Sequence, residues 1–418
     1  MTNELPVGWV KCKLEDFVQI LDNCRKPINA SEREKRLASA KTLYPYYGAT
    51  GQVGYIDDYL TDGNYVLLGE DGAPFLDPIK QKAYKISGKT WVNNHAHILK
   101  GYCDISDEFI CFWLNSVAYR PFVSGTTRLK LNQAKMKEIP CSLPPLAEQK
   151  RIVGKIEELF GEVDKAIEIL KQKQAELKQY RQSVLFAAFS GKLYKTTEWP
   201  KIKLKSTMYL KNGYAFQSSS YKKEGIPLIR ISDIDGQYVT LDFTAKITPS
   251  EAPEGFWVKK DDLLIAMSGA TTGKLGVYTA EEPALQNQRV GNIKIKDENK
   301  VMKQYRNFLF MHLQKEILKN AYGGAQPNIS SSKIEDMDFL LPTLPEQEQI
   351  VAEIEQRFEQ ADILEQSITD ALDNAEKLKQ SILKKAFEGK LVPQDPKDEP
   401  ASVLLDRIKS EQKKGKKK

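Results

Sequence analysis

Gln286-Asn287-Gln288-Arg289 places three side-chain amides and a guanidinium in consecutive positions. Amides can pair bidentately with the edge of adenine and guanidinium groups with that of guanine, so this cluster has the chemistry to read bases. Arg230 follows an apolar run, Ile226-Pro-Leu-Ile229, and the stretch from Ser268 to Lys274 offers backbone amides, the hydroxyls of Thr271 and Thr272 and the Lys274 ammonium. Earlier in the chain, Tyr46-Tyr47-Gly48, Gly69-Glu-Asp-Gly72 and Asn93-Asn94-His95 occupy corresponding slots with different chemistry. Arg128 and Lys130, in Gly125-Thr-Thr-Arg-Leu-Lys130, align at an offset of 198 with Gly323-Gly-Ala-Gln326-Pro-Asn328 and combine flexible glycine with polar groups suited to phosphate or groove contact. The two cations gain most from a phosphate. The competing reading of each residue is local: an Asn or Gln beside a turn often caps its own backbone, and either segment can be a plain connection.

Groups for covalent chemistry do not assemble. An adenine methyltransferase needs an Asn/Asp-Pro-Pro-aromatic motif to hold a flipped base, and none occurs. Gly269-Ala-Thr-Thr-Gly273-Lys274-Leu275 is one residue short of a phosphate-binding loop and lacks the hydroxyl residue after its lysine. His95 and His97 are expected on one side of a strand, with no Cys or His at ligand spacing to complete a zinc site. Asp77-Pro-Ile-Lys80 reads as a turn without the second carboxylate that a nuclease requires. The expectation is a chain with no catalytic, cofactor-binding or metal-binding residues.

The elements that must position these loops are announced by an internal repeat. Residues 143 to 193 and 341 to 391 align without a gap at the offset of 198 and share 19 identities in 51 positions, so the chain is two half-molecules, each a globular segment followed by the same helix. Leu143-Pro144-Pro145 and Leu341-Pro342 hold the chain extended before each helix, Glu148 and Glu346 put negative charge in its first turn, and Gly191 and Gly389 follow as left-handed caps. Ile156, Val163, Leu170, Leu177 and Val184 recur every seven residues, matched by Ile354, Ala361, Ile368, Ala375 and Ile382. Leu159, Ala166 and Tyr180 are expected in the intervening core row. Rods spanning 146–188 and 344–386, each about 65 Å long at about 1.5 Å per residue, need partners for their seams, and pairing with each other is the economical answer. The globular segments share fainter landmarks, Trp9-Val-Lys-Cys-Lys-Leu14 against Trp199-Pro-Lys-Ile-Lys-Leu204 and Leu67-Leu68 before Gly72 against Leu263-Leu264 before Gly269. Short β runs at 65–68, 228–231, 262–266 and 290–295 and helices at 108–118 and 303–320 make each a mixed α/β module.

Composition is globular, 41% hydrophobic and 28% charged over 418 residues. No apolar run can span a membrane, the first residues lack a signal peptide's apolar core, and five cysteines without a Cys-x-x-Cys read as reduced thiols of a cytoplasmic protein. Net charge is +6, of which +5 lies in residues 401–418, so charge by itself does not mark a nucleic-acid binder. That tail is expected to be a short helix from Ala401 with a disordered basic end, solvated or in weak contact with phosphate or a partner.

The paired LPxLxEQ…FxGKL rods, each preceded by a domain opening on Trp-x-Lys-x-Lys-Leu, together with Ala401-Ser-Val-Leu-Leu-Asp-Arg-Ile408, resemble the specificity subunit of a type I restriction-modification system along essentially the whole chain. The resemblance implies an α+β fold with a pseudo-twofold repeat: two mixed α/β target recognition domains separated by two long helices pairing as an antiparallel coiled coil. The segments are then 1–142, first recognition domain; 143–193, first spacer helix; 194–340, second recognition domain; 341–391, second spacer helix; and 392–418, basic tail. It further implies a non-catalytic, cytoplasmic subunit whose domains each read half of an asymmetric bipartite site on double-stranded DNA, the loops named above lying at the DNA face. The rods would set the spacer and dock two methyltransferase subunits, joined by two restriction subunits. S-adenosylmethionine, ATP and magnesium would be used by those partners, with no cofactor in this chain. A coiled-coil scaffold whose heads bind protein is the alternative that the residues leave open.

Overall fold

The computed structural model describes residues 5–242, 244–321 and 328–415. The chain forms two compact units, Met1–Lys171 with Thr369–Lys418, and Gln172–Ile368.

The head of the first unit runs β1 (Val10–Lys13), α1 (Leu14–Phe17), β2 (Val18–Ile20), α2 (Ala30–Ala38), β3 (Tyr44–Gly48), β4 (Gly51–Ile56), β5 (Thr61–Asp62), β6 (Tyr65–Gly69), β7 (Ala83–Ile86), β8 (Lys89–Val92), β9 (Ala96–Gly101), α3 (Asp107–Ser116), α4 (Gln133–Lys137) and β10 (Pro140–Leu143). One sheet has the order β2-β9-β6-β7 and is antiparallel throughout, a second has the order β4-β3-β8-β5 with β3 and β8 parallel, and β1 and β10 form a separate ribbon. The alternation of side chains along β6 sends Val66 and Leu68 to a core shared with Phe109, Ile110, Trp113 and Leu114 of α3, and Leu67 to the opposite face with Ile86, Val92 and Ile98. Both faces are covered, which is why β6 reads as an unbroken apolar run.

In the second unit the head runs β11 (Lys201–Lys203), β12 (Met208–Asn212), β13 (Ile226–Ile229), β14 (Ala245–Ile247), β15 (Trp257–Val258), β16 (Leu263–Ala266), β17 (Leu275–Val277), β18 (Ala284–Gln286), β19 (Val290–Ile295), α6 (Lys303–Ala321), α7 (Ser331–Glu335) and β20 (Asp338–Leu340). Its sheets have the orders β12-β19-β16-β17 and β14-β13-β18-β15, with β13 and β18 parallel, and β11 pairs with β20. Strand for strand this is the first head again. Leu263 and Ile265 face the core containing α6, whereas Leu264 and Ala266 face the other way. The duplication expected from the rods therefore extends through both heads, although their sequences have diverged.

The rods are α5 (Leu146–Phe189) and α8 (Leu344–Phe387), 44 residues each and close to the expected bounds. Gly191 and Gly389 adopt φ of 74° and 70°, the left-handed caps foreseen. In the first unit, Ile152, Ile156 and Val163 of α5 pack with Ile382, Leu383 and Ala386 of α8; in the second, Val184, Leu185 and Ala188 join Ile350, Val351 and Ile354. The N-terminal part of each rod thus meets the C-terminal part of the other, as an antiparallel pair requires. The heptad row at 156, 163, 170, 177 and 184 is buried or half-buried, as is that at 354, 361, 368, 375 and 382. The second row requires correction: Leu159 is half-buried against the seam as expected, but Ala166 and Tyr180 are exposed, and the row that continues inward is Phe160, Ile167, Gln174, Arg181 and Ala188. With 3.6 residues per turn, a position four residues on lies about 40° from the heptad row and one three residues on about 60° from it on the other side, so the nearer row faces the partner.

The tail forms α9 (Ala401–Gly415), longer than a short helix, and Ala401, Leu404, Leu405 and Ile408 are buried in the core of the first head. No described helix is long and apolar enough to cross a membrane.

Candidate nucleic-acid interface

In each head, two loops that leave strand ends and the segment before a short helix converge. The turn after β8 is tied to β3 by Asn93 N donating to Tyr47 O (3.1 Å), the loop after β6 to that turn by Glu70 N donating to His95 O (2.7 Å), and the segment before α4 to that loop by Leu131 N donating to Glu70 O (2.8 Å). The second head repeats every bond: Asn287 N to Ile229 O (3.0 Å), Met267 N to Arg289 O (2.9 Å) and Ile329 N to Met267 O (3.0 Å). Backbone alone sets this frame, so side chains on it are free to differ.

The first frame encloses an open recess of about 650 Å³ lined by Gly48, Thr50, Asp71, Gly72, Asn93, His95, Thr127 and Arg128 among others. Arg128 Nε lies 2.7 Å from Asp71 Oδ1, His95 Nδ1 lies 3.4 Å from Asp71 Oδ2, and Lys130 Nζ lies 3.3 Å from Glu70 Oε1. Beneath, Asp22 accepts from Gln133 Nε2 at 2.9 Å and bonds His97 Nδ1 at 2.7 Å, while Arg25 bridges Asp22 and Glu70. Burial works to raise the Asp22 pKa, but the bonds from His97 and Gln133 and the Arg25 charge outweigh it and hold the carboxyl below its ordinary value. The floor of the recess is thus a bonded network around the Asp22 carboxylate, rigid where a reading surface needs rigidity.

The corresponding recess of the second head, about 560 Å³, is lined by Asn212, Met267, Ser268, Gln288, Arg289, Asn328, Ile329, Ser330 and Ser331. Met267 stands where Glu70 stands and Ser268 where Asp71 stands, so the acids of the first floor are absent. Ser268 Oγ is buried without a hydrogen-bond partner among the described residues. Unsatisfied polar atoms of this kind are uncommon in native folds and fit a surface awaiting a polar ligand.

The structure distributes the sequence candidates unevenly. His95, Asn93 and Arg128 line the first recess, with Asn94 exposed on the same turn and Lys130 on the adjoining segment. Asn93 is nevertheless a turn former, its Oδ1 accepting from His95 N at 2.8 Å. His95 sits in the turn before β9 and His97 is fully buried within that strand, so the two do not share a strand face. Tyr46 is corrected: its ring is buried with Ile56 and Trp91 and lies under Arg33, and Tyr47, half-buried against Tyr84, does not line the recess either. Gln286 is corrected likewise, being fully buried with Nε2 donating to Lys211 O and Val290 O, both at 2.7 Å, which leaves it no donor for a base. Gln288 and Arg289 are exposed at the second recess, and Asn287 donates to the Tyr221 hydroxyl at 3.2 Å. Arg230 follows β13 at the position of Gly48 and pairs with Asp233 at 3.5 Å. Thr271, Thr272 and Lys274 do not line the recess. Thr272 Oγ1 donates to Gly269 O at 2.7 Å, and Gly273 O accepts from Gln314 of α6, so this loop turns onto the helix. Gln326 lies outside the described residues. Asn212, Ser330 and Ser331 were missed; the gap-free offset of 198 equates Ser330 with Asn132, and both cap the short helices α7 and α4. Among the described residues, no cluster of three or more His, Cys, Asp or Glu could hold a metal ion.

Comparison with known proteins gives these loops a context. The family model for the type I restriction modification DNA specificity domain matches twice, over residues 6–179 and 196–374. The chain is 28% identical over 372 residues to a putative type I restriction enzyme specificity subunit of Haemophilus influenzae, covering 86% of this chain and 89% of that one. It is 29% identical over 342 residues to the EcoKI specificity subunit of Escherichia coli, covering 73% and 72%. Among solved structures, a chain described under complex assembly and conformational transition of the type I R-M system superposes with a TM-score of 0.68 at 19% identity, covering 93% of this chain and all of that one. The HsdS subunit from Thermoanaerobacter tengcongensis gives 0.54 at 18% identity, covering 93% and 98%. At such identities the solved structures speak to the fold.

Proposed function

The chain belongs to the type I restriction-modification DNA specificity family, and from that premise we propose that it is the non-catalytic reader of the complex, each head recognising one half of an asymmetric bipartite duplex site. The observation that carries this reading is one backbone frame used twice with unlike side chains: Asp71, His95 and Arg128 on the first, Ser268, Gln288, Arg289 and Asn328 on the second. A protein that reads two different half-sites needs a constant frame and variable donors and acceptors. The rods set the spacer between half-sites and dock two methyltransferase subunits, with two restriction subunits joining when the complex cuts. S-adenosylmethionine, ATP and magnesium serve those partners.

The test is a domain exchange. Replacing residues 194–340 by the second head of another family member, and sequencing the methylome of a host that supplies the methyltransferase, should change one half of a bipartite motif and leave the other intact. Change in both halves, or in neither, sinks the modular reading.

A further inference from the structure

We propose that Arg128 reads a guanine in the first half-site and that Asp71 and Gly72 are the residues that position it. The inference rests on the proposed reading function and assigns Arg128 a base in place of a phosphate. The decisive feature is Asp71 Oδ1 at 2.7 Å from Arg128 Nε. A carboxylate at that distance cancels most of the attraction of the guanidinium for the phosphate backbone, which acts through net charge. It leaves the geometry of the fork untouched. With Nε engaged, the two terminal nitrogens, which have no partner among the described residues, present the planar pair of donors that matches guanine O6 and N7. A pair that is weak for phosphate and well formed for a base edge is a base reader.

Gly72 supplies the second half of the clamp. Its φ is +79°, and a Cβ there would lie 3.1 Å from Arg128 Nε, so the guanidinium rests on bare backbone. Gly72 N in turn donates to Leu129 O at 3.0 Å, tying the acid-bearing loop to the arginine-bearing segment. Lys130 serves as the contrast. Its ammonium is held only loosely by Glu70 at 3.3 Å, and a compact charge without planar geometry suits phosphate. The second head changes both partners together. The offset of 198 puts Gln326 opposite Arg128 in the sequence, and the frame puts Ser268 opposite Asp71; where the cation is gone, the acid is gone too.

The experiment uses the chain assembled with its methyltransferase subunits. Methylome sequencing of the wild-type complex comes first, and a host without a bipartite motif would refute the reading function itself, separately from this proposal. Binding is then measured on duplexes in which each guanine of the motif is replaced in turn by 7-deazaguanine, which lacks N7. The wild-type complex should lose roughly tenfold or more at one position of the first half-site. Arg128→Met, which keeps the stem and loses every donor, and Asp71→Ser should both bind guanine and 7-deazaguanine alike there; the salt dependence should stay nearly unchanged in the first and steepen in the second, whose freed guanidinium turns to phosphate. Unchanged reading of the second half-site reports that the variants fold. If Asp71→Ser does not assemble, Gly72→Ala takes its place with the same expected loss of discrimination. Uniform weakening on all duplexes with a shallower salt slope would make Arg128 a phosphate contact and overturn the proposal, as would wild-type indifference to 7-deazaguanine throughout the first half-site.

Discussion

Lys379 stands in the second rod where Arg181 stands in the first, and each crosses to the other rod to do the same thing. Arg181 lies 5.3 Å from the centre of the Phe358 ring with Nη2 2.6 Å from Asp362; Lys379 lies 5.5 Å from Phe160 with Nζ 2.5 Å from Asp164. All three partners are related by the offset of 198. A half-buried cation in an apolar seam costs some stability and specifies which partner row it must meet. Because Asp362 is well exposed, its ion pair contributes little and the aromatic contact contributes more. Arg181→Ala should therefore lower the stability of the second unit by about 1–2 kcal/mol, while Asp362→Ala should cost less than about 0.5 kcal/mol. Urea denaturation of the two variants checks the ranking, and an equal or reversed order would mean that the charge pair dominates.

The two repeat-related glutamates at the rod starts predict opposite responses to pH. Glu346 is almost fully buried and accepts bonds from Thr196, Thr197 and Thr343 at 2.9–3.0 Å. Burial opposes its ionisation, but Trp199 and these threonines outweigh it and hold the carboxyl far below its ordinary 4.5. Its contribution is present above that value and is lost as pH falls below it. Glu148 is held by Trp9 Nε1 at 2.9 Å and Gln394 at 3.3 Å, and there burial prevails and raises the pKa. Its ionisation opposes folding at neutral pH, and the penalty fades as pH falls toward 4.5. Glu346→Gln should destabilise the second unit at pH 7 by about 2 kcal/mol, having lost several charge-assisted bonds, and Glu148→Gln should cost the first unit less. Thermal melts at pH 7 and pH 5 decide it: the Glu148→Gln deficit should widen on acidification, because protonation then relieves only the wild type.

Gln286 and Gln288 separate structure from reading within one turn. Gln286→Ala removes two bonds to buried carbonyls and should cost about 2–3 kcal/mol of stability while leaving the methylation motif as it is. Gln288→Ala, at an exposed position lining the recess, should change stability by less than about 0.5 kcal/mol and alter or relax one position of the second half-site. A motif altered by Gln286→Ala and not by Gln288→Ala would reverse the assignment.

That pair also marks where sequence stops being legible. The rods could be bounded to within a residue because their signals are local: prolines before, glycines after, a heptad between. The second seam row was missed because Ala166 and Tyr180 are as apolar as Phe160 and Ile167, and only the partner's position distinguishes them. In the heads, strands such as β5, β14 and β15 are two or three residues long, too short for alternation to show which way a side chain points. Gln286 and Gln288 are one strand period apart and look alike in the sequence. They differ because β18 is a central strand covered on both sides, whereas Gln288 has left it.

The C-terminal helix carries a prediction that its charge conceals. Its basic residues suggest a solvated tail, yet Leu404, Leu405 and Ile408 are buried with Ala401 against the first core, and Ala401 N donates to Gly8 O at 2.9 Å. Leu404→Ala should destabilise the first unit by about 2–4 kcal/mol, the usual cost of a core cavity, and leave the second unit unaffected. Hydrogen exchange resolved by segment would show this as lost protection in residues 10–143. Undiminished protection there would mean that α9 packs without supporting the head.

The rods as a ruler give the most demanding test. Asp164 and Arg181 are 17 positions apart in the first rod, and Asp362 and Lys379 are 17 apart in the second. Inserting one heptad after Gln172 and another after Asp370, positions related by the repeat and lying between those pairs, keeps both pairs and the apolar register. Each rod grows by about 10 Å, equal to about three base pairs at 3.4 Å per step. The methylation motif of that variant should keep its half-sites and gain about three base pairs of spacer, with weaker binding because the twist of DNA rotates one half-site around the duplex. Inserting the heptad in one rod only displaces one ion pair from its partner by about 10 Å and should abolish assembly. An active complex with an unchanged spacer after the double insertion would mean that something other than the rods sets the distance.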